Sequence, residues 1–135
     1  MEKIISILGS TGSIGTQSLT VCKKMGYRVK AITAHSNWKL MEEQIRQFHP
    51  EKAVLTDMEA AQKLKEAVSD TATTVLSGMD GVLEVASDPQ QDTVINALMG
   101  VAGLKPTVCA IEAGNNVALA NKETLVAGGK LVTEL

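Results

Sequence analysis

The sequence predicts an α/β domain with a doubly wound, mostly parallel sheet and helices on both faces. Short runs rich in Val and Ile alternate with segments of helical length along nearly the whole chain, and a glycine-rich turn follows the first run. Because strand-helix-strand units close with right-handed crossovers, this alternation produces parallel strands. At 135 residues, the chain is long enough for one domain with its own core.

The strands are predicted from short apolar runs that are rich in β-branched residues. In order, they are Ile4–Leu8, Arg28–Thr33, Lys52–Leu55, Thr74–Leu76, Thr93–Leu98 and Asn116–Ala120. A predicted helix follows each strand, and a glycine or a coming proline ends several of these helices. The helices are Ser13–Met25, Asn37–Phe48, Asp57–Val68, Gly78–Ala86, Leu104–Ala113 and Lys122–Ala127. Since ligands bind such sheets at the carboxyl ends of the strands, the loops after the strands are the candidate sites.

The turn after the first strand reads Gly-Ser-Thr-Gly-Ser-Ile-Gly from Gly9 to Gly15. Gly9 permits a tight turn, Gly12 lets backbone amides approach a pyrophosphate, and Gly15 allows the helix to pack closely on the strand. This spacing is typical of Rossmann-like dinucleotide sites, and the alternative is a plain strand-to-helix turn. A P-loop is excluded because it ends in Gly-Lys-Ser/Thr, whereas Thr16 and Gln17 follow the last glycine here.

The second strand and its loop carry no acidic residue. No Asp or Glu occurs from Lys3 to Met41. Sites selective for NAD place an acid about 20 residues past the glycine turn to hold the ribose 2′-hydroxyl. The matching stretch here is Arg28–Asn37, in which Ser36 and Asn37 can donate hydrogen bonds to a phosphate. The sequence therefore predicts NADP(H) as the ligand.

The charges are unevenly distributed along the chain. Residues 1–41 carry six Lys and Arg against a single acid, Glu2, whereas the rest carries seven against fourteen, for a net charge of −2. The basic third is the part that is predicted to meet the cofactor phosphates. A nucleic-acid partner is a poor alternative, because the overall balance is acidic and no basic run is interleaved with aromatic residues.

The cysteines and histidines do not form a disulfide or metal pattern. Cys22 and Cys109 are isolated, so we expect both to be reduced core residues. We interpret His49 as a surface residue and His35 as a loop residue, with contact to the adenosine part of the cofactor as the alternative for His35. No apolar run reaches transmembrane length and the start does not resemble a signal peptide, so we expect no membrane partner and a cytoplasmic location.

Two later loops also follow predicted strands. The run Asn96–Gly103 is rich in small residues that would let the chain pass close to a cofactor, although a simple turn is equally consistent. In the run Ala118–Leu125, Asn121 can cap the predicted helix and Glu123 complements the helix dipole. Lys122 is disfavoured by that dipole, so we hypothesise that it binds an anionic ligand.

Three segments together resemble the 1-deoxy-D-xylulose 5-phosphate reductoisomerase family. They are Gly9–Gly15, Asn96–Thr107 and Ala118–Val126, and the resemblance runs the length of the chain. It implies an NADPH-dependent oxidoreductase of the non-mevalonate isoprenoid pathway, which rearranges its sugar phosphate and reduces the resulting aldehyde to 2-C-methyl-D-erythritol 4-phosphate. It also implies a Mg²⁺ or Mn²⁺ ion and a homodimer.

The resemblance also implies roles for individual residues. Those that would line the NADPH pyrophosphate are Thr11, Gly12, Ser13 and Ile14. Those that would surround the 2′-phosphate end are His35, Ser36 and Asn37. Asn121 and Glu123 match cofactor contacts, and Lys122 matches a substrate contact. Family members often have Gly followed by Arg or Lys before the Asn, whereas His35 and Ser36 stand here, so the resemblance does not fix the strength of 2′-phosphate binding.

The family's metal ligands belong to an Asp-Ser-Glu segment and a later Glu, which would fall after Leu135. We therefore interpret residues 1–135 as an NADP(H)-binding domain and a fragment, with no catalytic or metal-binding residue assigned and no expected activity alone. The alternatives are another NADP-dependent dehydrogenase and a non-catalytic NADP-binding module. A short-chain dehydrogenase is disfavoured, because Tyr27 is the only tyrosine and no Lys lies four residues after it.

Overall fold

The computed structural model describes residues 3–98, 104–119, 124–127 and 130–133. Its strands are β1 (Ile4–Leu8), β2 (Arg28–Ala34), β3 (Lys52–Leu55), β4 (Thr74–Ser77), β5 (Thr93–Asn96), β6 (Asn116–Leu119), β7 (Thr124–Ala127) and β8 (Lys130–Thr133). Its helices are α1 (Ser13–Met25), α2 (Trp38–Phe48), α3 (Met58–Ala67), α4 (Gly78–Ala86) and α5 (Leu104–Glu112). None of the helices in these ranges is long and apolar enough to cross a membrane.

All eight strands belong to one sheet, in the order β4-β3-β2-β1-β5-β6-β7-β8. The strands from β1 to β6 pair in parallel, and β7 and β8 extend the sheet as antiparallel strands. β1 lies between β2 and β5, with Ile7 level with Ile32 and Ile95. The chain builds the sheet outward from β1 to β4 and then returns to the other side of β1. The topological switch point, where such folds bind ligands, therefore lies at the carboxyl ends of β1 and β5.

The core occupies both faces of the sheet. Ile7 and Leu8 are neighbours on β1 and both are fully buried, so their side chains enter opposite faces. Ile7 belongs to a cluster with apolar residues of α1, α2 and α3, and Leu8 belongs to a second cluster with residues of α4 and α5. The predicted arrangement of helices on both faces is therefore confirmed.

A polar cluster fixes the opposite, amino end of the sheet. The Nζ atom of Lys30 lies 2.8 Å from the Oδ2 atom of Asp88, and both side chains are mostly buried. Burial raises the pKa of Asp88, but hydrogen bonds from Lys30 and from the Gln90 amide outweigh it, so the pKa lies below its usual range. Ser6 donates to the Gln91 side chain, whose amide donates to the carbonyl oxygen of Val85 at 2.8 Å. These contacts hold the segment before β5 against β1 and β2.

All six predicted strands and the first five of the six predicted helices are confirmed over their described residues, with ends that differ by at most two residues. Both cysteines are free; Cys22 is buried, which raises the pKa of its thiol, and Cys109 is half-buried against the second cluster. His49 is exposed, as expected, and ends α2 in the left-handed conformation with φ at 51°.

The predicted helix Lys122–Ala127 is wrong over its described part. Thr124–Ala127 is strand β7, in which Thr124 pairs with Leu119 of β6. β8, which the sequence analysis did not predict, pairs with β7 through Ala127 and Lys130. The physical reason is readable in the sequence: two short runs rich in β-branched residues flank Gly-Gly, a pair typical of two-residue hairpin connections.

Candidate nucleotide-binding site

The turn between β1 and α1 is folded tightly around Gly9. Gly9 has φ at +84°, a left-handed conformation that favours glycine, and its amide donates to the carbonyl oxygen of Thr33 at 2.8 Å. A Cβ atom on Gly9 would lie 3.2 Å from the backbone carbonyl of Ala97, just after β5. The turn therefore closes at the switch point, in contact with the strand on either side.

Gly15 brings the first turn of α1 against this loop. A Cβ atom on Gly15 would lie 1.9 Å from the carbonyl oxygen of Gly9 and 2.8 Å from the Cα of Ser10. Both are backbone atoms, so no side-chain rotation could relieve the clash. Only glycine fits at this position in the observed backbone, as the close packing inferred from the sequence requires.

Gly12 differs from the other two glycines. Its φ and ψ are −77° and 172°, an extended conformation open to any residue, and an added Cβ would meet only the carbonyl oxygen of Gly9, at 3.7 Å. The fold itself therefore places no steric demand for glycine here. Gly12, Ser13 and Ile14 are exposed, and Gly12 has no side chain, so a molecule that approached Gly12 would meet its backbone.

The start of α1 offers amide donors that no side chain caps. Gly12 is the N-cap and supplies no side-chain hydrogen bond, and the first turn contains no acid. Asn37 caps α2 through Leu40 and Asp57 caps α3 through Ala60, whereas Ser77 at the start of α4 makes no side-chain cap hydrogen bond. Because the first amides of a helix lack intrahelical partners and carry the positive end of the dipole, the start of α1 is suited to bind a phosphate.

The loop after β2 lies beside this turn. Leu8, at the end of β1, is level with Thr33 near the end of β2, so the two loops leave the same edge of the sheet. His35, Ser36 and Asn37 are all exposed in this loop. The structure thus brings together the two segments that the sequence analysis assigned to the pyrophosphate and 2′-phosphate ends of the cofactor.

Two residues that the sequence analysis did not assign to the site hold this second loop in place. The Nδ1 atom of His35 lies 2.7 Å from the hydroxyl oxygen of Thr56, just after β3. The amide of Asp57 donates to the carbonyl oxygen of His35 at 3.0 Å. The carboxylate of Asp57 accepts a hydrogen bond from the amide of Ala60 at 3.0 Å, so it is engaged in capping α3.

The loop after β5 begins against the glycine turn. The amide of Ala97 donates to the carbonyl oxygen of Leu8 at 2.9 Å. Asn96 is buried, and its side chain donates to the Thr107 hydroxyl at 2.7 Å and accepts from the amide of Leu98 at 3.0 Å. The rest of this loop, residues 99–103, lies outside the described residues.

Asn121, Lys122 and Glu123 also lie outside the described residues. Their place in the chain is between the end of β6 at Leu119 and the start of β7 at Thr124. Within the ranges that the structure describes, no group of three or more His, Cys, Asp or Glu could hold a metal ion.

A glycine turn that opens an uncapped helix at the switch point of a parallel sheet defines a Rossmann-like nucleotide-binding domain. A sequence model described as 1-deoxy-D-xylulose 5-phosphate reductoisomerase matches residues 5–129. The chain belongs to that family.

Individual relatives agree with this assignment. The chain is 49% identical over 134 residues to a 1-deoxy-D-xylulose 5-phosphate reductoisomerase of Lachnoclostridium phytofermentans, covering 98% of this chain and 34% of that protein. It is 47% identical over 137 residues to a chloroplastic reductoisomerase of Oryza sativa subsp. japonica, covering 98% of this chain and 29% of that protein. The chain thus spans about a third of the length of these curated relatives.

Solved structures of the family superpose closely. The reductoisomerase from Zymomonas mobilis in complex with NADPH matches with a TM-score of 0.84 at 35% identity, over 91% of this chain and 33% of that one. A reductoisomerase in complex with NADPH, fosmidomycin and magnesium matches with a TM-score of 0.83 at 38% identity, over 90% of this chain and 30% of that one. The Rossmann-like fold predicted from the sequence is therefore confirmed.

Proposed function

We propose that this chain is the NADPH-binding domain of an oxidoreductase that converts 1-deoxy-D-xylulose 5-phosphate to 2-C-methyl-D-erythritol 4-phosphate in isoprenoid biosynthesis. The observation that carries the proposal is the uncapped start of α1 under a turn where the fold leaves Gly12 open to a ligand. The solved relatives that bind NADPH have this same fold. Residues 1–135 are, in this proposal, one cofactor domain.

The chain's own residues bind and orient the cofactor, which supplies the hydride when bound. The amides of Ser13 and Ile14, with Thr11 and Gly12 before them, hold the pyrophosphate at the start of α1. His35, Ser36 and Asn37 surround the 2′-phosphate end at the neighbouring loop. Asn121 and Glu123 contact the cofactor from the β6–β7 connection, where Lys122 contacts the sugar phosphate.

The whole protein's other properties are also proposals. A solved relative binds magnesium, so Mg²⁺ or Mn²⁺ is proposed for the whole protein. The described residues do not form a site that would fit the ion. The homodimer implied by the family resemblance and the cytoplasmic location expected from the sequence remain predictions.

The proposal predicts that the chain binds NADPH about ten- to a hundred-fold more tightly than NADH. A charge-assisted hydrogen bond to the 2′-phosphate contributes about 1.5 to 3 kcal/mol, and the neutral Ser36 favours the lower end of the range. Calorimetric titration of both cofactors at low and high salt measures the preference. Salt should weaken NADPH binding more than NADH binding, because the discriminating phosphate contacts an exposed loop.

A matched variant tests the assignment of this loop. Ser36→Asp introduces an acid into the loop after β2, near the place where NAD-selective sites have one, so it should lower the affinity for NADPH and reverse the preference. Equal affinities in the wild-type chain, or unchanged selectivity in Ser36→Asp, would show that the acid-free second strand has no bearing on cofactor choice. Failure of the wild-type chain to bind either cofactor would refute the proposed function itself.

Lys122→Ala is expected to weaken substrate use with little effect on stability. Because Thr124–Ala127 is a strand, a helix dipole gives no reason to place an anion at Lys122, and the family resemblance alone supports its substrate role. In the whole enzyme, the variant should lower kcat/KM by about tenfold to a hundredfold. This corresponds to a loss of about 1.5 to 3 kcal/mol of transition-state stabilisation, the size of one charge-assisted contact. Steady-state kinetics together with a thermal melt checks this. Unfolding of the variant with normal kinetics in the folded remainder would contradict a substrate role.

A further inference from the structure

A reciprocal pair of buried hydrogen bonds ties the glycine turn to α2. The hydroxyl of Ser10 donates to the Oε1 atom of Gln44 at 2.8 Å, and the Nε2 atom of Gln44 donates to the carbonyl oxygen of Ser10 at 2.8 Å. Ser10 is fully buried and Gln44 is only 5% exposed. Because the side-chain amide of Gln44 both accepts from and donates to one residue, it fixes the orientation of Ser10 as well as its position.

Ser10 is held at a third point as well. Its backbone amide donates to the carbonyl oxygen of Thr33 at 2.8 Å, on β2. The next residues along the chain are Thr11 and Gly12, which lead into the first turn of α1. The direction in which this turn leaves Ser10 is therefore set by β2 through the backbone and by α2 through Gln44.

We propose that Gln44 is a positioning residue for cofactor binding. It does not touch the cofactor; it holds the glycine turn so that the amides at the start of α1 face the pyrophosphate. This inference depends on the proposed NADPH function. Since Asn37 caps the start of α2, the same helix has the 2′-phosphate loop at one end and supports the pyrophosphate loop from its middle.

A similar pair elsewhere in the fold provides a matched control. Ser6 donates to the Oε1 atom of Gln91, and the Nε2 atom of Gln91 donates to the carbonyl oxygen of Val85. Gln91 is 8% exposed, nearly as buried as Gln44. This pair lies toward the amino end of the sheet, away from the candidate site, so it contributes to stability without supporting the glycine turn.

The experiment compares Gln44→Met with Gln91→Met in the 135-residue chain. Each change keeps the length of the side chain and removes its hydrogen bonds. NADPH, NADH and adenosine 2′-monophosphate, which has the 2′-phosphate but no pyrophosphate, are titrated by calorimetry or NMR below the melting temperatures. We expect both variants to melt earlier. Only Gln44→Met should lose affinity for NADPH and NADH, by about tenfold for each, while its affinity for adenosine 2′-monophosphate stays within about twofold of wild type.

Other results would overturn the inference. These results are unchanged NADPH affinity in Gln44→Met, an equal loss of affinity for adenosine 2′-monophosphate in that variant, or the same loss of NADPH affinity in Gln91→Met.

If Gln44→Met does not fold, a comparison of Ser10→Ala with Ser6→Ala decides. Ser10→Ala keeps the hydrogen bond from Gln44 to the carbonyl oxygen of residue 10. We therefore expect a smaller loss of NADPH affinity, about threefold, that Ser6→Ala does not share. A wild-type chain that binds no NADPH refutes the proposed function and this inference together. A wild-type chain that binds while neither Gln44→Met nor Ser10→Ala loses affinity refutes this inference alone.

Discussion

Gly15→Ala is expected to destabilise the domain by about 3 kcal/mol or more, the upper range for overpacking a close-packed interior. The new methyl group would lie 1.9 Å from the carbonyl oxygen of Gly9 and 2.8 Å from the carbonyl carbon of the same residue. Because these are backbone atoms of a turn already held by β2, either the turn or the first turn of α1 must move. The gain of about 1 kcal/mol that alanine normally brings to a helix cannot offset this. Urea unfolding measures the change.

Gly81→Ala is the matched control for this prediction. Gly81 is also a buried glycine within a helix, but an added Cβ would meet the side chains of Val54 and Leu76, at 2.8 Å and 3.1 Å. The closest of these atoms, Cγ1 of Val54, can move by rotation of its side chain, whereas the Gly9 carbonyl moves only with the backbone, so we expect a smaller loss of stability than in Gly15→Ala. A loss in Gly15→Ala no greater than in Gly81→Ala would show that the glycine turn relaxes easily.

The parallel part of the fold could be predicted because its signals are local and agree with one another. β1 is apolar at four of its five positions and is followed by a glycine turn, and α1 ends where Gly26 adopts a left-handed conformation with φ at 71°. The structural roles of Gly9 and Gly15 also follow from spacing alone, since the turn and the helix packing are properties of the backbone. The binding roles of the site residues remain predictions.

The end of the chain was mispredicted because the conformation of Thr124–Ala127 depends on pairing with β6 and β8, which lie outside that four-residue run. Thr124–Ala127 is too short for its local preference to decide between helix and strand, and the neighbouring Asn121 and Glu123 fit a helix start. Pairing with β6 settles the choice, since Leu125 aligns with Ala118 across the antiparallel ladder. A sequence window of four residues carries no information about that ladder.

Gln44 was missed for a similar reason, although the sequence contains a signal. The buried residues of α2 are Met41, Gln44 and Ile45, so a polar side chain stands on the apolar face of an otherwise amphipathic helix. A buried amide needs partners, which marks such a residue as significant. Its partner, Ser10, lies 34 residues earlier in the chain, and only the fold identifies it.

Gly12→Ser should separate cofactor binding from stability by changing them in opposite directions. The extended conformation of Gly12 suits a serine, and an added Cβ meets only the carbonyl oxygen of Gly9, at 3.7 Å. Serine is a favoured N-cap and reduces the freedom of the unfolded chain, so the free energy of unfolding should rise by about 0.5 to 1 kcal/mol.

The same change should weaken NADPH and NADH alike, by about tenfold to a hundredfold. The Cβ of the new serine occupies the space through which the pyrophosphate would approach, and its hydroxyl competes for a first-turn amide of α1. Overpacking a closely fitted surface costs about one to three kcal/mol, and each 1.4 kcal/mol corresponds to about a tenfold loss of affinity. Both cofactors should be affected equally because they share the pyrophosphate. A Gly12→Ser variant that is more stable and binds NADPH normally would show that the start of α1 is not the phosphate site.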